Sequence, residues 1–198
     1  QGLFLISSIS KDFDMDFSEV VYTLQMTDAI SQMQMLYDAE EDRVLFRVNS
    51  LDKREFRFWI TRRYAMLLVK VLRDHKETDP DVSTQVTPEA KQAVQSFKQE
   101  KAIGEATFDQ QFKETGNEFP LGQSVQLAYK LSYSIKGDGN LHLSIQPREG
   151  KGINFVLNQD INITMTQLLL TASKKGNWKL DEWAEENAAV PEEKVVIN

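Results

Sequence analysis

The chain of 198 residues contains no cysteine. That absence excludes disulfides, thiolate zinc sites, iron–sulfur clusters and cysteine nucleophiles, and it fits a reducing compartment. Histidine is almost as scarce: His75 and His142 are the only two, and neither has a second histidine at metal-ligand spacing. Nine glycines leave little material for a phosphate-cradling loop, and no Walker A, Rossmann, G-x-S-x-G or H-E-x-x-H pattern occurs. No run approaches the roughly 20 apolar residues that cross a bilayer. Leu3–Ile9 is apolar but short and has no basic segment before it, so no signal peptide is expected. Asp12, Asp14 and Asp16 are spaced like the start of a calcium loop. Phe17 and Thr23 occupy the places where such a loop needs its glycine and its bidentate glutamate, so a solvated acidic loop is expected instead.

What is present is ordinary globular material. The apolar fraction of 41% and charged fraction of 27% allow a buried core without staples or metals. The net charge of −7 disfavours general polyanion binding. No catalytic constellation emerges, so the chain is expected to be non-enzymatic, with no cofactor and no metal.

The positive signal is self-similarity. Val44, Phe46 and Val48 correspond to Leu141, Leu143 and Ile145, and Phe56, Phe58 and Ile60 to Ile153, Phe155 and Leu157. Tyr64, Leu68, Val71 and Leu72 correspond to Ile161, Met165, Leu168 and Leu169. A single offset (141 − 44 = 97) covers every pair. Such periodicity is the mark of a duplicated supersecondary unit. The reading is an α+β fold of tandem β-β-β-α repeats, about 30–75 and 124–175, forming antiparallel sheets with packed helices. One domain spans 1–198, with halves of about 1–87 and 104–178 and an acidic tail from about 184. The strands are expected to form one extended or closed sheet, with the Tyr64/Leu68/Leu72 and Ile161/Met165/Leu169 stripes meeting between the halves.

Within the first unit, Met33, Met35 and Tyr37 alternate as in a half-buried strand. Thr61 can cap the following helix, whose buried stripe is Tyr64, Leu67, Leu68, Val71 and Leu72. In the second unit Tyr129, Leu131 and Tyr133 are matched to Met33, Met35 and Tyr37. Lys136–Asn140 is a hairpin turn, Asp160 a helix cap and Gly176 a helix stop. Between the units, Thr87-Pro88 starts a helix near 88–103 that would bury Ala90, Val94, Phe97 and Ile103. Phe108, Phe112 and Phe119 follow in a connector expected to pack on the core. Leu3–Ser8, Glu19–Met26 and Val195–Ile197 are candidate strands. His75, in the last turn of its helix, is read as an imidazolium favoured by the dipole, and His142 as solvent-exposed.

One stretch departs from ordinary surface chemistry. Arg54, Arg57, Trp59, Arg62 and Arg63 lie together, with Arg57 and Trp59 on the strand face opposite Phe56 and Phe58. These five are the candidate contact residues. The leading expectation is a bacterial, cytoplasmic interaction protein that binds a protein partner or a second copy through this basic-aromatic face, away from membranes. The alternative is single-stranded DNA or RNA, held by stacking on Trp59 and by the arginines. Tandem sheet-plus-helix units are similar in outline to the PUR and Whirly nucleic-acid-binding folds, which use four strands per helix where three are countable here. The equivalent face of the second unit, at Asn154, Val156 and Asn158, has neither charge nor a large aromatic, which weighs against a tandem nucleic-acid platform.

Overall fold

A computed structural model describes residues 21–24, 30–105, 112 and 118–186. The strand expected at Leu3–Ser8, the Asp12–Asp16 loop, Phe108 and the Val195–Ile197 strand lie outside them. Strand β1 (Val21–Leu24) comes first, within the β-rich Glu19–Met26 stretch. A meander of β2 (Ile30–Asp38), β3 (Arg43–Ser50) and β4 (Glu55–Ile60) then leads into helix α1 (Arg62–Glu77). After α2 (Pro80–Ser83) and α3 (Pro88–Glu105) the order recurs. A two-residue strand, β5 (Gln126–Leu127), precedes the meander β6 (Lys130–Ile135), β7 (Leu141–Gln146) and β8 (Gly152–Leu157), and helix α4 (Gln159–Lys175) follows. Helix α5 (Leu180–Glu186) closes the described part.

The fold is α+β, but its strands form two sheets instead of one, in the orders β1-β8-β7-β6 and β2-β3-β4-β5. Neither sheet is purely antiparallel. β1 precedes the first meander yet pairs in parallel with β8 of the second, and β5 precedes the second meander yet pairs in parallel with β4 of the first. Each helix therefore belongs to a unit of four strands, not three, and each unit lends its leading strand to the other. The turn from one sheet to the other is tight: the Ala128 amide donates to the Trp59 carbonyl at 3.0 Å and the Tyr129 amide to the Gln146 carbonyl at 2.9 Å.

The strands β4 and β8, like α1 and α4, begin 97 residues apart (152 − 55 and 159 − 62). For β2 and β6 the cross-strand partners correct the expected correspondence. Met33, Met35 and Tyr37 face Val48, Phe46 and Val44, whereas Leu131, Tyr133 and Ile135 face Ile145, Leu143 and Leu141. The equivalents are thus Leu131, Tyr133 and Ile135, two residues later than alternation suggested, because five residues separate the facing pair Ile135 and Leu141 where six separate Tyr37 and Val44. A two-residue slip preserves the face, so the inward residues were still recognisable.

Both sheets and helices α1 and α4 share one core. Val44, Phe46, Phe56, Phe58 and Ile60 of one sheet and Leu141, Leu143, Ile153, Phe155 and Leu157 of the other are all buried. Phe46 and Phe155 meet with ring centroids 5.9 Å apart. The stripes expected to meet do so: α1 packs on α4, and Tyr64, Leu68, Leu72, Met165 and Leu169 are buried within this core. Each helix also reaches the other half, α1 touching β6 and α4 lying on β2. Thr61 caps α1, accepting from the Tyr64 amide at 3.2 Å. Leu67, expected in the stripe, is 37% exposed, and the buried face turns instead towards Ala65 and Val69. Asn158, not Asp160, caps α4, accepting from the Ile161 amide at 3.0 Å. Gly176 does end α4, and the position has no room for a side chain: a Cβ there would lie 2.5 Å from the Tyr37 ring.

Helix α3 starts at Pro88 as expected, but Phe97 is 69% exposed and Ala102 is the buried residue. The cause is ionic. Lys98 bridges Asp79 at 2.5 Å and Asp81 at 2.7 Å, and successive helical residues point about 100° apart, so turning Lys98 inward turns Phe97 out.

Gly152 opens β8 where the backbone of β7 leaves no room. A Cβ there would stand 2.3 Å from the Ile145 carbonyl oxygen and 2.8 Å from the Gln146 Cα. Gly152→Ala is expected to cost about 2 kcal/mol by forcing β7 and β8 apart. A urea midpoint equal to that of the parent chain would contradict this. Among the described residues no helix is long and apolar enough to cross a membrane.

Candidate interaction surface

The inward alternation of Phe46 and Phe58 turns their neighbours outward, and the register of β2-β3-β4-β5 sorts those outward residues into rows. Leu36, Leu45, Trp59 and Leu127 are cross-strand partners and form one row spanning all four strands. Its ends are open, with Leu36 42% and Leu127 41% exposed, while Leu45 and Trp59 are half-buried. The next row is Gln34, Arg47 and Arg57, and beyond it lie Gln32, Asn49 and Glu55.

The arginines of this face are engaged within the chain. Arg47 donates through Nε and Nη2 to Glu55 Oε1, both at 2.9 Å, and its guanidinium lies over the Phe112 ring, 4.2 Å from the centroid. Arg57 lies 4.2 Å over the Phe119 ring and donates to the Gln123 carbonyl. The connector aromatics Phe112 and Phe119 therefore stack on guanidinium groups of the outer face and not on the core. Arginine on an aromatic face retains its charge while covering apolar surface, which strand alternation alone does not reveal. Arg54 bridges Asp52 at 2.5 Å, and that bond, with a second from Ser50, holds the Asp52 carboxyl below its ordinary value. Arg43, at the far end of β3, pairs with Glu41 at 3.1 Å.

Of the five candidate contact residues, Trp59 sits inside the apolar row, and Arg62 and Arg63 stand exposed at the start of α1, immediately beyond the end of β4. Arg54 and Arg57 are held in intrachain contacts. Sequence reasoning missed Leu36, Leu45 and Leu127. Their apolar character at out-of-phase strand positions was a usable signal, but only the register shows that they align with Trp59.

The outer face of the other sheet is different. Ser132, Ser144 and Asn154 form one row, Ser134, His142 and Val156 another, and Lys130 with Gln146 a third, so these rows hold a single lysine and no large aromatic. His142 is half-buried, not free in solvent, and burial followed by the nearby Lys136 lowers its pKa. Among the described residues no three histidine, aspartate or glutamate side chains converge as metal ligands. Comparison with protein-family models, curated proteins and solved structures finds no match for the chain.

Proposed function

We propose that the chain is a non-enzymatic, cytoplasmic binding protein whose outer β2-β3-β4-β5 face docks a protein segment with apolar side chains and a carboxylate rim. The observation that carries this reading is the aligned row Leu36, Leu45, Trp59 and Leu127, with open ends on a sheet whose other outward rows are polar. Interface energy concentrates in aromatic anchors ringed by apolar neighbours, and Trp59 has that position. Arg62 and Arg63, immediately beyond the end of β4, provide charge complementarity for the acidic rim. The pairing of Arg47, Arg54 and Arg43 with carboxylates favours a protein over a nucleic-acid backbone, because phosphates would have to displace those partners.

A photo-crosslinking residue placed at Leu36 or Leu127 should capture one discrete partner that a probe at Val86, itself 95% exposed, does not. With that partner purified, Trp59→Ala should weaken binding by roughly 30-fold or more, and Leu36→Lys by a similar factor. Equal capture at Val86, or unchanged affinity in Trp59→Ala, would defeat the proposal. Salt-sensitive anisotropy of a labelled single-stranded oligonucleotide, lost in Trp59→Ala, would replace it with the nucleic-acid reading.

A further inference from the structure

His75 is fully buried where three elements from both halves meet. Its Nε2 lies 2.8 Å from the Gly139 carbonyl oxygen in the β6–β7 turn. Its Nδ1 lies 2.6 Å from Asn162 Nδ2 in the first turns of α4. The His75 carbonyl accepts from Gln159 Nε2 at 3.0 Å.

The Asn162 amide is locked in one orientation. Its two N–H groups are both used, one on the Leu72 carbonyl at 2.9 Å and one on His75, and its Oδ1 accepts from Thr166 at 3.2 Å. Rotating the amide would place its oxygen against the Leu72 carbonyl, acceptor facing acceptor. Nδ1 must therefore accept, and Nε2 must carry the proton and donate to Gly139. The neutral imidazole is the one form that satisfies every partner; a second proton, on Nδ1, would point at an N–H that has nowhere else to go.

Little around the ring opposes this. Asp79, from the cap of α2, favours the imidazolium but is itself bridged by Lys98. Asp138 of the turn accepts from Asn140 at 3.0 and 2.9 Å, and Asp160 of α4 is exposed. Lys76, the neighbour on α1, is disfavoured as a cation by its own burial.

We propose that His75 is a proton-sensitive lock joining the two halves: neutral, it holds the β6–β7 turn and the start of α4 against the end of α1, and protonation releases them. Burial, the dominant influence, lowers the His75 pKa in the folded chain, so the folded state binds fewer protons than the unfolded state. The stabilisation is complete above the ordinary imidazole value near 6.5 and is lost as pH falls from there towards the lowered value.

The chain has only two histidines, which makes the test clean. Between pH 7.5 and 5.5 the unfolding constant in urea should rise by up to about tenfold per pH unit below 6.5 in His142→Gln, and more steeply in the parent chain, where the lowered His142 pKa adds its own share. His75→Gln should remove the His75 share and leave only the part of the slope that His142 supplies, and His75→Gln/His142→Gln should be flat. Over the same range the His142 resonance should titrate in the folded chain while the His75 resonance does not, and amide exchange in the Lys136–Asn140 turn, corrected for its intrinsic pH dependence, should accelerate. If His75→Gln does not fold, Asn162→Asp serves instead: a carboxylate facing Nδ1 should make His75 titrate above its ordinary value in the folded state. His75 titrating near 6.5 in the folded parent chain, with unchanged exchange in the turn, would overturn the proposal.

Discussion

Glu55→Ala is expected to lower the unfolding free energy by about 3–5 kcal/mol, a large effect for one residue on an outer sheet face. The Glu55 side chain is 3% exposed and that of Arg47 13%. Both Arg47 contacts converge on one carboxylate oxygen at 2.9 Å, and Phe112 covers the guanidinium. Removing the carboxylate takes both of these charged hydrogen bonds at once from a largely enclosed guanidinium, which costs far more than losing a solvated surface pair would. Glu55→Gln, which keeps shape and one acceptor, should lose less. Replacing Arg47 and Glu55 together with methionine should recover much of the loss, because no unpaired charge remains. Urea denaturation followed by circular dichroism would measure all three. A Glu55→Ala cost below about 1 kcal/mol would mean that water reaches the pair.

Trp178→Ala should be comparably damaging, at about 3–5 kcal/mol. Trp178 is 3% exposed and stands edge-on to Tyr37, with ring centroids 5.9 Å apart and planes at 89°. Its Nε1 donates to Asp42 at 3.3 Å, and Asp42 also accepts from the Tyr37 hydroxyl at 2.7 Å. Trp178, three residues past the end of α4, is thus pinned to the β2–β3 hairpin of the first half, and truncation opens a cavity there. Trp178→Phe should retain most of the packing and cost about 1–2 kcal/mol. The same contacts have a pH signature. Bonds from Tyr37, then Trp178, hold the Asp42 carboxyl below its ordinary value. That contribution is present above the ordinary carboxylate range and is lost as pH falls through the lowered value, opposite in cause to the histidine effect and at more acid pH. Trp178→Phe should move the Asp42 titration, followed by NMR, back towards the ordinary carboxylate value.

The contrast between Phe58 and Trp59 shows how far sequence reasoning reaches. Period-two alternation puts them on opposite faces, and both assignments agree with the structure, because a pleated strand admits no other arrangement. That Trp59 lies in line with Leu36, Leu45 and Leu127 follows from register, which joins residues as far apart as Leu36 and Leu127. The arginines mark the limit more sharply. Arg57 was legible as outward-facing, but its partner Phe119 comes from a connector without periodicity. Phe97 fails for a related reason: an apolar residue at helical spacing predicts burial, yet the Lys98–Asp79 bridge determines which side of α3 faces inward. His75 was legible as terminal on its helix, but its burial depends on Gly139 and Asn162 from the other half.

By itself the sequence determined the meanders, the helices that follow them, the inward residues of both sheets and the caps at Thr61 and Thr87. These depend on interactions within a few residues, where spacing and side-chain chemistry leave few alternatives. Only the tertiary structure decided that the leading strands β1 and β5 cross to the opposite sheet, that connector aromatics cover the arginines, and that Trp59 lines up with Leu36, Leu45 and Leu127. Strands of four and two residues carry too little periodicity to choose a partner, so pairing across the chain, driven by burial of the shared core, makes that choice.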